Sequence, residues 1–192
     1  MARLTLTSPP AGRRVFVPAA LVTLVALAAW AVVAPRTVDD GAAPAQSHLE
    51  QHLQRHPADA RALVLQARLD LRADRYAAAA AGFDKALALS TKVARDANVW
   101  LEAAEARGLE QGSTLVGAPH ARVDKALAID PEHPRALDLA GSAAWEQRNF
   151  AAAARHWKRL LAQMSASDGR YAELTAAIER AEMRARLSLP PP

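Results

Sequence analysis

The sequence predicts an all-α fold: a solenoid of about three stacked helix pairs, closed by one further helix and preceded by a separate membrane-spanning segment. Three observations predict it. The stretch Asp124-Lys-Ala-Leu-Ala-Ile-Asp-Pro-Glu-His-Pro-Arg-Ala-Leu137 reads as the end of one helix, a proline turn and the start of the next. Its first half recurs forty residues earlier as Asp84-Lys-Ala-Leu-Ala-Leu89, and Lys158-Arg-Leu-Leu161 stands in the same place 34 residues later. Self-similarity at this period, in helical sequence, marks helix pairs that bury their apolar faces on each other. Finally, 51% of the 192 residues are apolar, yet only 5% are aromatic and 8 are glycine. Alanine is the commonest apolar residue by a wide margin, which favours closely packed helices over sheet.

Residues 1–14 carry Arg3, Arg13 and Arg14 without an acidic partner and read as a loose cytoplasmic tail. The run from Val15 to Ala34 has no charge over twenty residues. As a helix it would be about 30 Å long, the hydrocarbon thickness of a bilayer. Arg13 and Arg14 precede it and Asp39 and Asp40 follow. The positive-inside rule then puts the N-terminus in the cytoplasm and the rest outside, which in a bacterium is the periplasm. The run is longer than the apolar core of a cleaved signal peptide, although Ala43-Pro-Ala45 would suit cleavage and Arg13-Arg14 would suit twin-arginine export. Residues 35–45 read as a linker, residues 46–187 as the folded domain and residues 188–192 as a loose end.

Within the domain, Gln46 to Arg55 reads as a helix with Leu49 and Leu53 on one face, ended by His56-Pro57. The first pair runs from Ala60 to Thr91. Leu63, Ala67 and Leu71 line its first helix, Asp74-Arg-Tyr76 is the turn, and Ala79, Phe83, Ala86, Leu87 and Leu89 line its second. The second pair starts near Ala94, with Trp100, Ala103 and Ala104 inside. Trp100 and Ala126 stand 26 residues apart, against 23 between Leu63 and Ala86, so three extra residues enter the turn Leu109–Pro119. Pro119 suits the first turn of the returning helix, whose inner face is Val123, Ala126, Leu127 and Ile129. The third pair begins at Pro134. Leu137, Ala140, Gly141 and Ala144 form its first stripe, Arg148-Asn-Phe150 its turn, and Ala153, Trp157 and Leu160 its second stripe. After the polar break at 165–169, where Ser167 or Asp168 can cap, Tyr171, Leu174, Ile178, Ala181 and Ala185 recur at helical spacing. That amphipathic helix is the lid a solenoid requires.

Composition also excludes functions. There is no cysteine, hence no disulfide, thiolate metal site or covalent CxxCH haem attachment. The pI of 9.9 comes largely from the tail. Three of the 24 basic residues precede residue 15, leaving 21 against 20 acidic ones. A nearly neutral body without a basic stripe does not point to nucleic acid. No nucleophile elbow, phosphate loop or HExxH is present, so the reading is of a protein that is not an enzyme and needs no cofactor or metal. His48, His52 and His56 recur at spacing four, but the spacing drifts around the helix and no carboxylate stands behind them. His120, His133 and His156 read as loop or surface residues.

The pair motif resembles the tetratricopeptide repeat, on Leu137-x2-Ala140-Gly141…Ala153-x3-Trp157-x2-Leu160 and Leu63-x3-Ala67…Ala79-x3-Phe83-x2-Ala86. The second copy keeps Trp100, Ala104, Ala126 and Pro131, with Pro119 where alanine is usual. The order of parts is similar to c-type cytochrome maturation proteins of the CcmI/CycH and NrfG kind. The likeness lies in Leu49-Glu-Gln-His-Leu53…His56-Pro-Ala-Asp-Ala60, the long turn Gln111–Pro119, the run Ala126–Gly141 and Trp157-Lys-Arg-Leu-Leu161. It covers about residues 46–187. Longer family members have two membrane spans, whereas this chain has one candidate, as in the shorter NrfG arrangement. Which cytochrome system is served stays open.

The resemblance implies a bacterial inner-membrane protein with a single span and a periplasmic repeat domain. Such a domain holds apocytochrome c, typically by its C-terminal segment, and presents it to the haem ligation (haem lyase) complex. The alternative is a general periplasmic repeat scaffold for a secretion, pilus or envelope complex, and a third reading is a haem or metal carrier using the histidines. In repeat geometry the first helix of each pair lines a peptide groove. The groove candidates are Val64, Arg68 and Leu71, then Asn98, Leu101 and Glu105, then Asp138, Ser142 and Trp145. Trp145 is the leading anchor, because aromatic anchors dominate interfaces; its other reading is packing under the capping helix. Trp100 and Trp157 fall on core signature positions. Arg68 and Arg72 are candidates to hold a ligand carboxylate or else remain solvated.

Overall fold

The computed structural model describes residues 42–188, which are helical throughout and contain no strand. The candidate membrane run, the tail before it and residues 189–192 lie outside the described residues. Among those described, no helix is long and apolar enough to cross a membrane. The order is α1 (Ala42–Arg55), α2 (Ala60–Arg72), α3 (Tyr76–Leu89), α4 (Ala97–Glu110), α5 (Ala118–Ile129), α6 (Pro134–Glu146), α7 (Phe150–Leu161) and α8 (Tyr171–Leu187), with a single 3-10 turn at Val93–Arg95. α1 therefore starts four residues before the expected Gln46.

Local chemistry sets the boundaries. Asp59 accepts from the backbone N–H groups of Arg61 and Ala62 and starts α2. Asp96 does the same for α4 through Asn98, and Asn149 for α7 through Ala152. α6 opens on Pro134 behind His133, whose Nδ1 accepts from Ala136. Each cap satisfies donors that the helix itself leaves orphaned. α8 corrects an expectation. Asp168 accepts from Arg170 N at 2.8 Å and closes the preceding turn, while the helix begins one residue later without a side-chain cap.

The first helix of every pair ends in the same way. Arg75 N donates to Asp70 O, Ser113 N to Gly108 O and Asn149 N to Ala144 O, each at 2.8 Å. The residue before each donor has positive φ: Asp74 at 58°, Gly112 at 84° and Arg148 at 59°. This is the 6→1 bond with a left-handed residue that closes a helix C-terminus. In the register of Leu63, Trp100 and Leu137, α4 runs one residue further than α2 and α6, so one of the three extra residues lengthens that helix and the other two follow its closure.

Consecutive helices pack on one another along the chain, α2 on α3, α3 on α4, α4 on α5 and so on to α8. The core is a column in three overlapping parts. Phe83, Ala79, Ala86 and Ala67 bind α2 to α3 and reach Val99 and Ala103 of α4. Leu101, Ala104, Val123, Ala126, Ala136 and Ala140 join α4, α5 and α6. Leu137, Ala153, Trp157, Leu160, Leu174 and Ile178 join α6, α7 and α8. Trp100 borders the first two parts, and its Nε1–H donates to Ala94 O at 2.9 Å. Two expected core positions are surface: Leu89 is 47% and Ile129 41% exposed. Each is the last residue of its helix, beyond the turn covered by a neighbour.

Candidate peptide-docking face

The first helices α2, α4 and α6 lie side by side and are tied across their outer edges. Arg68 Nε donates to Glu102 Oε2 at 2.8 Å, joining α2 to α4. Glu105 pairs with Arg135, joining α4 to α6, and His133 Nε2 shares a hydrogen bond with Asn98 Oδ1 at 3.2 Å. Arg170, at the start of α8, donates to Asp138 of α6 at 2.8 Å. That pairing holds the Arg170 guanidinium above its usual range. The result is one continuous polar edge from α2 to α8. Thr114 Oγ1 and Leu115 N of the long turn both donate to Glu146, at 2.8 and 2.9 Å, and anchor that turn to the end of α6.

The nine groove candidates divide on this face. Arg68, Glu105, Asp138 and Asn98 are all members of the cross-helix ties. Ser142 is half-buried on α6. Leu71 is packed against the α2–α4 core. Val64 and Leu101 are core residues, and Leu101 has no exposed surface, so neither is available to a ligand. The Trp145 ring lies 5.0 Å from Phe150 and 6.1 Å from Trp157, half-buried at the border of the α6–α7–α8 core.

Reasoning from sequence missed a neighbouring column of positions. Leu63, Trp100 and Leu137 occupy the same register at an interval of 37 residues. Two positions on, that interval gives Leu65, Glu102 and Leu139, and Leu65 is 51% exposed. Leu65 is thus a large apolar side chain open to solvent on α2, with exposed Arg61 one turn before it and exposed Arg72 two turns after it. On the other side of the stack a notch of about 350 Å³ lies among Leu87, Ala88, Trp100 and Ala121, with Arg122 and Lys125 at its rim. Beside it Arg122 and Arg107 clasp Asp84, joining α3, α4 and α5.

The histidines do not converge. His52 Nε2 bonds Asp59 Oδ2 at 2.9 Å, which holds the Asp59 carboxyl below its usual range, and His52 and His56 rings lie 4.8 Å apart. Among the described residues no group of three or more His, Cys, Asp or Glu side chains is placed to hold a metal. His133 is a helix cap. His156 is half-buried, not a loop residue, and its Nδ1 is buried without a partner.

No protein-family model matches the chain. It is similar to the cytochrome c-type biogenesis protein CycH of Pseudomonas aeruginosa, with 29% identity over 138 residues, which is 72% of this chain and 33% of that relative. The chain spans about a third of the length of the curated relative that it matches.

Proposed function

We propose that this chain is a membrane-anchored periplasmic adaptor of cytochrome c maturation. Its described helices form a tetratricopeptide-type domain that binds apocytochrome c by its C-terminal segment and presents it to the haem ligation complex. It acts by binding and not by catalysis. The similarity to CycH over 138 residues carries the reading. Support also comes from the face itself. An amphipathic helical ligand needs apolar contact beside fixed charges of both signs. Leu65 supplies the first; Arg68, Glu102, Glu105 and Arg135, already held by their mutual pairs, supply the second at little further entropic cost.

The test is titration of the full-length protein in detergent with a labelled peptide of an apocytochrome c C-terminal segment, against a scrambled peptide of the same composition. Micromolar binding of the native peptide alone is expected. Leu65→Ala is expected to weaken it about tenfold, since losing an anchor costs 1 kcal/mol or more, with no change in helicity. Equal binding of both peptides would reject the adaptor reading and favour a general envelope scaffold.

A further inference from the structure

α8 packs on α7 through Leu174, Ile178 and Ala181. Its opposite face is turned away from the stack. A closing helix would be expected to present polar residues there. Instead that face carries a second apolar stripe, Ala172, Ala176, Met183 and Leu187, at intervals that return to one side of a helix. Met183 is 61% and Leu187 77% exposed.

The stripe is graded along the helix. Its N-terminal half has the small residues, beside Glu173 and Glu179. Its C-terminal half has the large ones, beside Arg180 and Arg184. Among the described residues Glu182 pairs with Lys158 and Glu173 lies in the field of Arg170, while Glu179, Arg180 and Arg184 form no ion pair. The helix dipole accounts for acids first and bases last. It does not account for exposed Met183 and Leu187 in line with two alanines.

We infer that the outer face of α8 is a homodimer surface, on which two copies pair α8 against α8 in antiparallel order. Reversal sets Met183 and Leu187 of one copy over Ala176 and Ala172 of the other. It also sets the acidic half of each helix against the basic half of its partner. A parallel pair would oppose large to large and arginine to arginine. Self-complementarity under a two-fold axis is what a closed dimer requires. One helix of 17 residues, about 25 Å long, per partner makes a small interface, so the dimer is weak and rests on few anchors.

The absence of cysteine from the whole chain allows a direct test. Full-length Ala176→Cys and Met183→Cys proteins are prepared in detergent and oxidised mildly, separately and mixed. Leu65→Cys on α2 is the control. In the antiparallel pair, position 176 of one copy meets 183 of the other, whereas the two 176 positions are about 10 Å apart. The mixture should give several-fold more disulfide dimer than either protein alone or the control. Adding Leu187→Glu to both should reduce that dimer about tenfold while circular dichroism stays unchanged, the fold-change of one lost apolar anchor. Cross-linking no greater than in the control, or greatest between identical positions, would overturn the proposal. So would sedimentation with anionic vesicles in place of dimer formation, which would assign the arginines and Met183 to a lipid surface.

Discussion

Gly141 and Trp157 show how closely these helices approach. A Cβ built at Gly141 would stand 2.2 Å from Trp157 Nε1. The indole therefore lies directly on the α6 backbone, and only glycine leaves room for it. Gly141→Ala should destabilise the domain by about 1–3 kcal/mol, the cost of overpacking. Trp157→Ala should cost about 3–5 kcal/mol by leaving a cavity. Urea denaturation followed by circular dichroism measures both, and combining them should give less than the sum, because removing the indole abolishes the clash that the added methyl creates. His156 is the second informative residue. Burial, then Arg159 and Arg155, push its imidazole below the ordinary value of 6.5, while Asp124 opposes the shift and His120 adds to it. The folded state thus binds a proton less readily than the unfolded one. Its contribution to stability is complete above pH 6.5 and is lost as pH falls below that value. Denaturation midpoints should fall on acidification from pH 7 to pH 5, and His156→Gln should flatten that dependence. A slope identical in both proteins would place its origin elsewhere.

At the scale of the element, the long second turn separates what sequence can reveal from what it cannot. The three extra residues were countable, and so was Pro119 at the head of α5. The 6→1 closure was not, because in two of three copies its left-handed residue is Asp74 or Arg148 and carries no glycine signal. The closure is recognisable only once the three turns are compared by their hydrogen bonds. Gly117 is different. Its φ of 80° and ψ of −123° fall in a region essentially reserved for glycine, although nothing stands within 4 Å of where a Cβ would be. Gly117→Ala should therefore cost of order 1–3 kcal/mol from backbone strain alone. It should also loosen the bonds of Thr114 and Leu115 to Glu146, which amide hydrogen exchange at Leu115 would report. The core stripes were legible because 3.6-residue periodicity fixes the centre of a buried face. Its width was not. Helices inside the stack are covered by their own partner and by the next pair, so Val64 and Leu101 sink into the core while Leu65 beside Val64 stays exposed. Leu89 and Ile129 show the converse, since a helix end outruns its neighbour.

The described helices form a linear stack in which each rests on its neighbours in sequence. Stability in such an array is nearly a sum of unit and nearest-neighbour terms, so damage at one end should spread only part of the way. α8 makes this testable, because its Leu174 and Ile178 cover the same cluster as Trp157 and Leu160. Truncation after Gly169 leaves Arg170's partner Asp138 unpaired and uncovers the apolar face of α7. Hydrogen exchange read by mass spectrometry should then show large loss of protection in α6 and α7, smaller loss in α4 and α5, and near-native protection in α2 and α3. Phe83, fully buried between α2 and α3 with Val99 above it, belongs to a different part of the core from Leu174 and Ile178 and should hold its own pair together. Uniform loss across all helices would mean that the column in fact unfolds as one cooperative unit. In that case the Arg68–Glu102 and Glu105–Arg135 ties would have to transmit strain along the whole polar edge, and breaking them by Glu102→Gln and Glu105→Gln should restore a graded pattern.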